Sequence, residues 1–570
     1  MSSEQEIIEL VAGILAIPAE ALSLQTGAGD IPEWDSLAQV AIVTTVEEEY
    51  QLNLDPDSLM DIATIADLVA LVDGRDSESV TPVPSPESPV HQMAVETVVG
   101  SICRIAEYQP AATALVIGNA AVTYRQLADS IASVAEWYCA QGVKSGDCVA
   151  LGAVKSKEFV ACYFAAHALG CVVVNLDPEI NSDRLAYILS VTKPAIIIGV
   201  PHNIALAYSA VDMDSVAVMP ELPAPDIVAD LMFTTGTTGE PKGVPLTHAN
   251  LAAAAAQINR FIGNNATDVE VVALPICHSF GMGRVRCVLS SGGTVVFVTG
   301  FGNVKQLFHT LKAYKATGFS FVPSAWAYLQ RMAGDKLAEF ADSLRYIEIG
   351  SAPMSVEVRR HLMSLFPNTR ICMHYGLTEA SRSTFIEFHS ESSHLHTAGK
   401  PAFGVQVRIY SDSGILMPPG EEGEICVKGA HVVQSYFSAT DAEKYYFDGY
   451  FRTGDWGLLD QGGYLQVLSR TKDIINCGGK KISPEEVERV LLAIPGVVEC
   501  ACVPAPDPQG LLGEVVKAVL VSDGSFQPDV ESIKKHVSLH LESYKCPALY
   551  EWRDALPRTE SGKLQRRFLV

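Results

Sequence analysis

The stretch that decides the reading is "FTTGTTGEPKGVPLTH", Phe233 to His248. Thr234, Thr235, Thr237 and Thr238 alternate with Gly236 and Gly239 ahead of Lys242. Hydroxyls and flexible backbone amides wrap a polyphosphate as anion nests do, and the lysine neutralises its charge. A P-loop NTPase needs the lysine directly after a glycine, with Ser or Thr and a helix following at once. Here Pro241 precedes Lys242 and Gly243 follows it, so no helix starts in that way. The spacing is not that of a G-x-G-x-x-G loop either.

Around the loop, short Val/Ile-rich runs alternate with helical stretches: "CVALGAV", "CVVVNLD", "AIIIGV", "DLMFTTG", "TVVFVTG" and "RYIEIG". That pattern predicts buried, mostly parallel strands with helices on both faces. From about residue 400 the strands shorten ("VQVRIYSD", "EGEICVKG", "GYLQVLSR"), and an α+β piece closes the chain. Ahead of this body, "DSESVTPVPSPESPVHQMAV" (76–95) is a linker rich in Pro, Ser and Glu. In the first 75 residues "EIIELVAGILAI" has apolar residues at helical spacing. "SLAQVAIVTTVEEEY" places Leu37, Val40, Val43, Val46 and Tyr50 on one stripe, so a small helical bundle is expected there.

The 570 residues exceed one ordinary core. The net charge of −25 is unevenly spread. Residues 1–75 hold fifteen Asp or Glu against one Arg, whereas 470–570 balance fourteen acidic with fourteen basic residues. Nucleic-acid binding needs a basic footprint and is disfavoured; an acidic module instead suits docking to a basic patch. The 13 cysteines are irregularly spaced without a C-x-x-C pair and read as reduced thiols, with no zinc site. The opening "MSSEQEIIEL" is acidic where a secretory signal is basic. The longest apolar runs are too short to span a bilayer, so a cytoplasmic protein is expected.

At this point the chain resembles a family. "FTTGTTGEPKG" is similar to the signature loop of the adenylate-forming superfamily of acyl-CoA and aryl-CoA synthetases, non-ribosomal peptide adenylation domains and beetle luciferases. The resemblance runs in order through "LGCVVVNLDP", "MHYGLTEAS" (Met373–Ser381), "GEEGEICVKG", "YFRTGDWGLL" (Tyr450–Leu459), "SRTKDIINCGGKKISPEEVE" (Ser469–Glu488) and "PRTESGKLQRR" (Pro557–Arg567). Thr235 stands where many members have Ser and keeps the hydroxyl.

The resemblance implies an α/β and α+β multidomain fold. An N-terminal four-helix carrier bundle (1–75) and the linker (76–95) precede a large adenylate-forming domain (96–469) of mixed, mostly parallel sheets with a small β-barrel-like part. A small, mobile C-terminal α+β domain (470–570) follows. It also implies that a carboxylate attacks the α-phosphate of ATP, after which a thiol attacks the acyl-adenylate. Both steps build negative charge on phosphoryl oxygens. By resemblance the loop 234–239 and Lys242 hold the phosphates, and Thr378 contacts the α-phosphate. Glu379 holds Mg²⁺, an ion that wants oxygen ligands. Tyr375 and Gly376 lie at adenine, Asp455 binds the ribose with Arg470 assisting, and Lys563 reaches the reacting carboxylate. Lys472 occupies the hinge position. Gly478 and Gly479 leave room for a thiol arm.

"LPICHSFGMGRVRCVL" (Leu274–Leu289) matches the segment that gates and lines the acid pocket. It lacks the Asp with which amino-acid-activating relatives bind an α-ammonium, and His278 stands at the gate position, so a fatty or aryl acid without an α-amine is expected. Phe280 and Gly350 fall in that pocket. Arg284, four residues after Phe280, shares its helix face and is expected to meet an anionic or polar group on the substrate or on a nearby acidic side chain; Arg286 points elsewhere.

"IPEWDSLAQVAIVTTVEEEYQLNL" resembles an acyl carrier protein, with Ser36 as the attachment point for 4′-phosphopantetheine at a helix start. The resemblance implies a phosphopantetheinyl transferase and a downstream acyl-accepting enzyme as partners, in a secondary-metabolite or cell-surface pathway. Lys480-Lys481, Lys534-Lys535 and Arg566-Arg567 are candidate docking points. The expected activity is an ATP-dependent acyl–carrier-protein ligase. An acyl-CoA ligase using free CoA, and a non-catalytic carrier scaffold, are the alternatives.

Overall fold

The computed structural model describes residues 97–570 apart from 179, 181, 201, 203–204, 236–240, 438–441, 471–472, 474, 478–479, 509–513, 523, 525–526, 542–544 and 559–563. Of the first 96 residues it describes 3–15, 17–19, 22–24, 26, 42, 45–46, 50, 64–66 and 68–69. The chain forms two compact units, 1–91 and 92–570.

In the first unit the helix Ser3–Leu15 buries Ile7, Val11 and Leu15, spaced four apart on one face. They share a cluster with Leu22, Ile42, Val46, Ile65 and Leu68. Leu37, Val40 and Val43 of the expected stripe, and Ser36, lie outside the described residues; Val46 is buried and Tyr50 packs on the cluster.

The second unit is built on two large sheets. One has five strands in the order Ile196–Ile198, Cys148–Gly152, Val172–Leu176, Val228–Thr235 and Pro241–Thr247. The first four are parallel and the last closes an antiparallel hairpin. The other has nine strands in the order Lys400–Pro401, Thr384–Glu387, Arg370–Tyr375, Tyr346–Ile349, Gly318–Phe321, Val269–Val272, Thr294–Phe297, Thr113–Ile117 and Ala120–Thr123. It is parallel through its middle and antiparallel at both edges. Six of these strands, Cys148–Gly152, Val172–Leu176, Ile196–Ile198, Val228–Thr235, Thr294–Phe297 and Tyr346–Ile349, are runs that the sequence marks; the others it does not.

The helix Ser279–Ser290 is buried over every residue from Phe280 to Leu289. A helix apolar on one stripe can leave its charges in water; one enclosed on all sides must pair them. Its two arginines are two residues apart, about 200° around the axis, and each enters a different sheet. Arg284 donates through Nε to Glu270 Oε1 at 2.9 Å and through Nη2 to Glu270 Oε2 at 2.6 Å. Its Nη1 lies 3.0 Å from Glu348 Oε2. Both glutamates belong to the nine-stranded sheet. Arg286 Nη1 donates to Asp230 Oδ2 at 2.7 Å, in the five-stranded sheet, where Tyr163 and His167 also hold that carboxylate. Gly281 is required because a Cβ there would lie 2.2 Å from Pro275 O.

After residue 400 the chain forms an antiparallel sheet of Gln406–Tyr410, Gly423–Lys428, Tyr450–Leu459, Tyr446–Phe447 and Leu465–Arg470, which is the expected β-rich part. The last part carries the hairpin Ile475–Cys477/Lys480–Ile482 and the helices Pro484–Leu492 and Val530–Ser538. Its sheet is Val497–Pro506, Glu514–Ser522 and Leu549–Trp552.

Arg284→Met leaves Glu270 and Glu348 without their shared cation. A loss of about 3–5 kcal/mol is expected for breaking a buried pair on one side. Urea unfolding of the full chain, wild type against variant, measures it; an unchanged midpoint contradicts the pairing.

Candidate functional site

The loop 236–240 lies outside the described residues, but the strands that carry it are clear: Thr234 pairs with Lys242 and Thr235 with Pro241 across the hairpin. The Lys242 ammonium lies 5.2 Å from the centre of the Tyr436 ring and 5.9 Å from that of Tyr445. Cation–π attraction holds it there. The Phe437 amide donates to Gly243 O at 2.8 Å, which fixes the tyrosine segment against the strand.

From the same segment Tyr436 donates its hydroxyl to Glu379 Oε1 at 2.7 Å, and the Val433 amide donates to Glu379 O at 3.0 Å. Glu379 and Thr378 sit in a tight turn closed by reciprocal Leu377 and Ala380 backbone bonds. Gly376 opens that turn, because a Cβ there would lie 2.3 Å from Arg382 N. Tyr375 ends the strand Arg370–Tyr375 and donates to Asp455 Oδ2 at 2.6 Å. Asp455 is buried and stands opposite Arg470 in the ladder between the strands Tyr450–Leu459 and Leu465–Arg470. Contacts thus join Lys242, Glu379, Tyr375 and Asp455, which come from three segments far apart in sequence.

A second cluster adjoins the first through His374. Its ring meets Phe280 edge-on at 4.8 Å. A Cβ at Gly350 would fall 2.1 Å from His374 Nε2. Phe280 and Gly350 are therefore both against His374. His278 is exposed at the N-cap of the helix Ser279–Ser290. Arg284 has no accessible surface and faces Glu270 and Glu348. Of the two expected partners, a substrate group or a nearby acidic side chain, the contacts present are with acidic side chains, because a fully enclosed guanidinium is held by the carboxylates beside it. Burial alone would raise the Glu348 carboxyl, but the Arg382 and Arg284 guanidiniums outweigh it and hold it below the usual range.

Near the gate, Lys155 Nζ donates to Ala273 O at 2.7 Å and Val298 O at 2.8 Å, at the ends of two strands of the nine-stranded sheet. Burial pulls its pKa down to about 8. Beside it Asp177, Cys277 and His278 bring one ligand atom each within 4.8 Å of one another; a thiol does not suit a hard ion such as Mg²⁺. Tyr436, His374, Glu348 and Lys155 carry no sequence signal of their own: each matters only through partners distant along the chain.

Lys472, Gly478, Gly479 and Lys563 lie outside the described residues. Three residues beyond Lys563, Arg566 is bound to Glu488, with Nη2–Oε2 at 3.1 Å, and donates to Cys502 O at 3.0 Å. Arg566 is thereby engaged within its own domain. Lys534 pairs with Glu531 on the surface at 3.0 Å. Among the described residues no helix is long and apolar enough to cross a membrane.

Residues 103–437 match the family described as AMP-binding enzyme, 486–563 its C-terminal domain, and 5–72 the phosphopantetheine attachment site. The chain is 31% identical over 477 residues to a feruloyl-CoA synthase of an Amycolatopsis species, covering 81% of this chain and 96% of that one. It is 32% identical over 478 residues to a 2-succinylbenzoate–CoA ligase of Bacillus licheniformis, covering 81% and 97%. Among solved structures, the o-succinylbenzoate CoA synthetase of Bacillus subtilis with its acyl-adenylate intermediate superposes with a TM-score of 0.73 at 30% identity, over 82% of this chain and 97% of that one. ATP-bound MatB of Rhodopseudomonas palustris gives 0.73 at 26% identity, over 83% and 98%.

Competitive labelling with acetic anhydride between pH 6 and 11 is expected to give Lys155 a midpoint near 8, against ~10.4 for an unperturbed lysine. Peptide mass spectrometry reads it, and a midpoint above ~10 contradicts the burial described.

Proposed function

The chain belongs to the AMP-binding enzyme family, and on that premise we propose that it activates a carboxylic acid lacking an α-amine as its acyl-adenylate and passes the acyl group to 4′-phosphopantetheine on Ser36 of its own N-terminal unit. The observation that carries the first half is the joining of Lys242, Glu379, Tyr375 and Asp455 by direct contacts and one shared tyrosine. In the reaction a carboxylate oxygen of the acid bonds to the α-phosphorus of ATP and the bond to pyrophosphate breaks. Lys242 and the threonine loop balance the charge that moves onto the leaving phosphates. Asp455 accepts from the ribose hydroxyls, and Tyr375, oriented by its bond to Asp455, stacks on the adenine. Thr378 donates to the α-phosphate. Lys563, carried by the terminal segment that Arg566 anchors to Glu488, balances charge between the two reacting groups.

The donor set fits Mg²⁺: Glu379 offers a carboxylate whose Oε1 already accepts from Tyr436, leaving the other oxygen to meet a hard cation. The ion supplies neutralisation of the phosphate oxygens, and Glu379 holds it.

In the second half a thiolate attacks the acyl carbonyl and AMP leaves. The phosphopantetheine attachment match on the same chain supports the carrier as acceptor. The first cysteine of the chain is Cys103, so a thiol in the first unit has to come from the prosthetic arm. A tether of about 20 residues makes the second step effectively intramolecular and raises the local thiol concentration to the millimolar range. Free CoA as acceptor is the second reading, favoured by relatives that are named CoA ligases.

Intact-mass measurement separates the readings. Holo protein given ATP, Mg²⁺ and a broad panel of acids is expected to gain one acyl mass, and apo protein and Ser36→Ala none. Acyl-CoA formation with an unchanged holo mass favours free CoA. Lys563→Ala is expected to lower acid-dependent pyrophosphate exchange by at least about 100-fold; full exchange in that variant removes Lys563 from adenylation.

A further inference from the structure

The strand Val172–Leu176 is followed at once by Asp177, and the helix Ser279–Ser290 is preceded by Cys277 and His278. The two segments are fastened side by side, since Asn175 Nδ2 donates to Ile276 O at 2.8 Å in a buried contact. The backbone just beyond that contact is held as well. The Ile180 amide donates to Asp177 O at 3.1 Å, and the Met282 amide donates to His278 O at 3.1 Å. The three side chains therefore converge from fixed posts. Cys277 Sγ donates to Asp177 Oδ2 at 3.7 Å. One imidazole nitrogen of His278 lies within 4.8 Å of that sulfur and of a carboxylate oxygen of Asp177. Cys277 is buried, whereas Asp177 and His278 reach solvent. Lys155 Nζ, nearby, is held by Ala273 O and Val298 O.

We propose that Asp177, Cys277 and His278 form a binding site for a borderline divalent cation, Zn²⁺ or the Co²⁺ that replaces it. A thiolate, an imidazole and a carboxylate are the donors such ions take; hard Mg²⁺ and Ca²⁺ want oxygen alone. Around a tetrahedral zinc, sulfur and oxygen donors stand roughly 3.5 Å apart. The 3.7 Å between Cys277 and Asp177 is close to that, so side-chain rotation at His278 is what completes the set. On binding, the Cys277 S–H bond breaks, its proton passes to solvent, and the sulfur bonds to the metal. The two anionic donors cancel the charge of the ion. Water fills the fourth position, as in zinc sites with three protein ligands. An ion there ties the end of the strand to the start of the helix and holds the His278 imidazole in one orientation. Cysteine spacing gave the opposite expectation, because Asp177 and Cys277 are 100 positions apart and no C-x-x-C pair announces them. The site stands whether or not the adenylation reading holds.

The test uses the full chain, reduced with a phosphine, stripped with a chelator and titrated with Co²⁺ alone. Thiolate-to-cobalt absorption in the near ultraviolet and the strong visible bands of four-coordinate Co²⁺ are expected to appear. Zn²⁺ is expected to abolish them, and excess Mg²⁺ to leave them. Cys277→Ser is expected to lose the ultraviolet absorption, which separates this sulfur from the other cysteines and from a prosthetic thiol. Asp177→Asn and His278→Ala are each expected to weaken Co²⁺ binding by at least about 10-fold. No thiolate absorption with Co²⁺ in large excess over the chain overturns the proposal. So does an absorption that survives Cys277→Ser, an affinity unchanged in Asp177→Asn, or displacement of Co²⁺ by Mg²⁺. If Cys277→Ser does not fold, Asp177→Asn, a change at an exposed residue, decides.

Discussion

The three ion pairs made by the two arginines of the helix Ser279–Ser290 are the constraint on which the large domain depends. Two parallel sheets could pack on an apolar helix in several rotations and registers, because hydrophobic contact is non-directional. A guanidinium between two carboxylates has a preferred direction and a fixed set of donors. Arg284 ties the helix to Glu270 and Glu348 in one sheet, and Arg286 ties it to Asp230 in the other. Each charge is costly to bury alone, so any rotation or slip of the helix that separates either pair is strongly disfavoured. Glu348, 3.0 Å from Arg284 Nη1, also lies 2.8 Å from His374 Nδ1, so the charges that set the packing of the sheets also reach the end of the strand that carries Tyr375.

The nucleotide side is organised differently. Lys242, Glu379 and Asp455 each meet a tyrosine, Tyr436 for the first two and Tyr375 for the third. Tyr436 serves two partners at once, its ring carrying the lysine and its hydroxyl the carboxylate. A cation and an anion that would attract each other directly are kept apart by an aromatic ring. Both stay available for a ligand of mixed charge such as a metal-bound nucleotide.

Much of this was legible in the sequence. The apolar runs gave six strands of the two large sheets, because a strand buried on both faces favours Val and Ile, while mixed runs such as Gly318–Phe321 and Arg370–Tyr375 carried no such mark. The glycine and threonine loop, the Y-G-x-T-E run and the T-G-D run gave the family, and the structure joins Lys242, Glu379, Tyr375 and Asp455 by contact. The destination of Arg284 was not legible. Its spacing from Phe280 located it on a helix face, but which side chain meets it depends on Glu270 and Glu348, from two other strands. For the same reason Tyr436 and His374 went unnoticed: "QSYFS" and "MHYG" have no pattern that announces a partner. The lysine pairs could be read only as charge, and so could Arg566, whose contact with Glu488 depends on a residue 78 positions away.

The pinned helix also limits how its own first turn can move. His278 caps a cylinder that is fastened to both sheets within its first two turns, so a rigid swing of that cylinder would have to break a salt link on one side or the other. The connector that leads into it is held as well, since Ile276 is buried and its carbonyl accepts from Asn175 Nδ2 at 2.8 Å. Motion of the helix as a body is thus tied to breaking a buried charge pair, and belongs to a slower class of movement than the exchange of single side-chain rotamers.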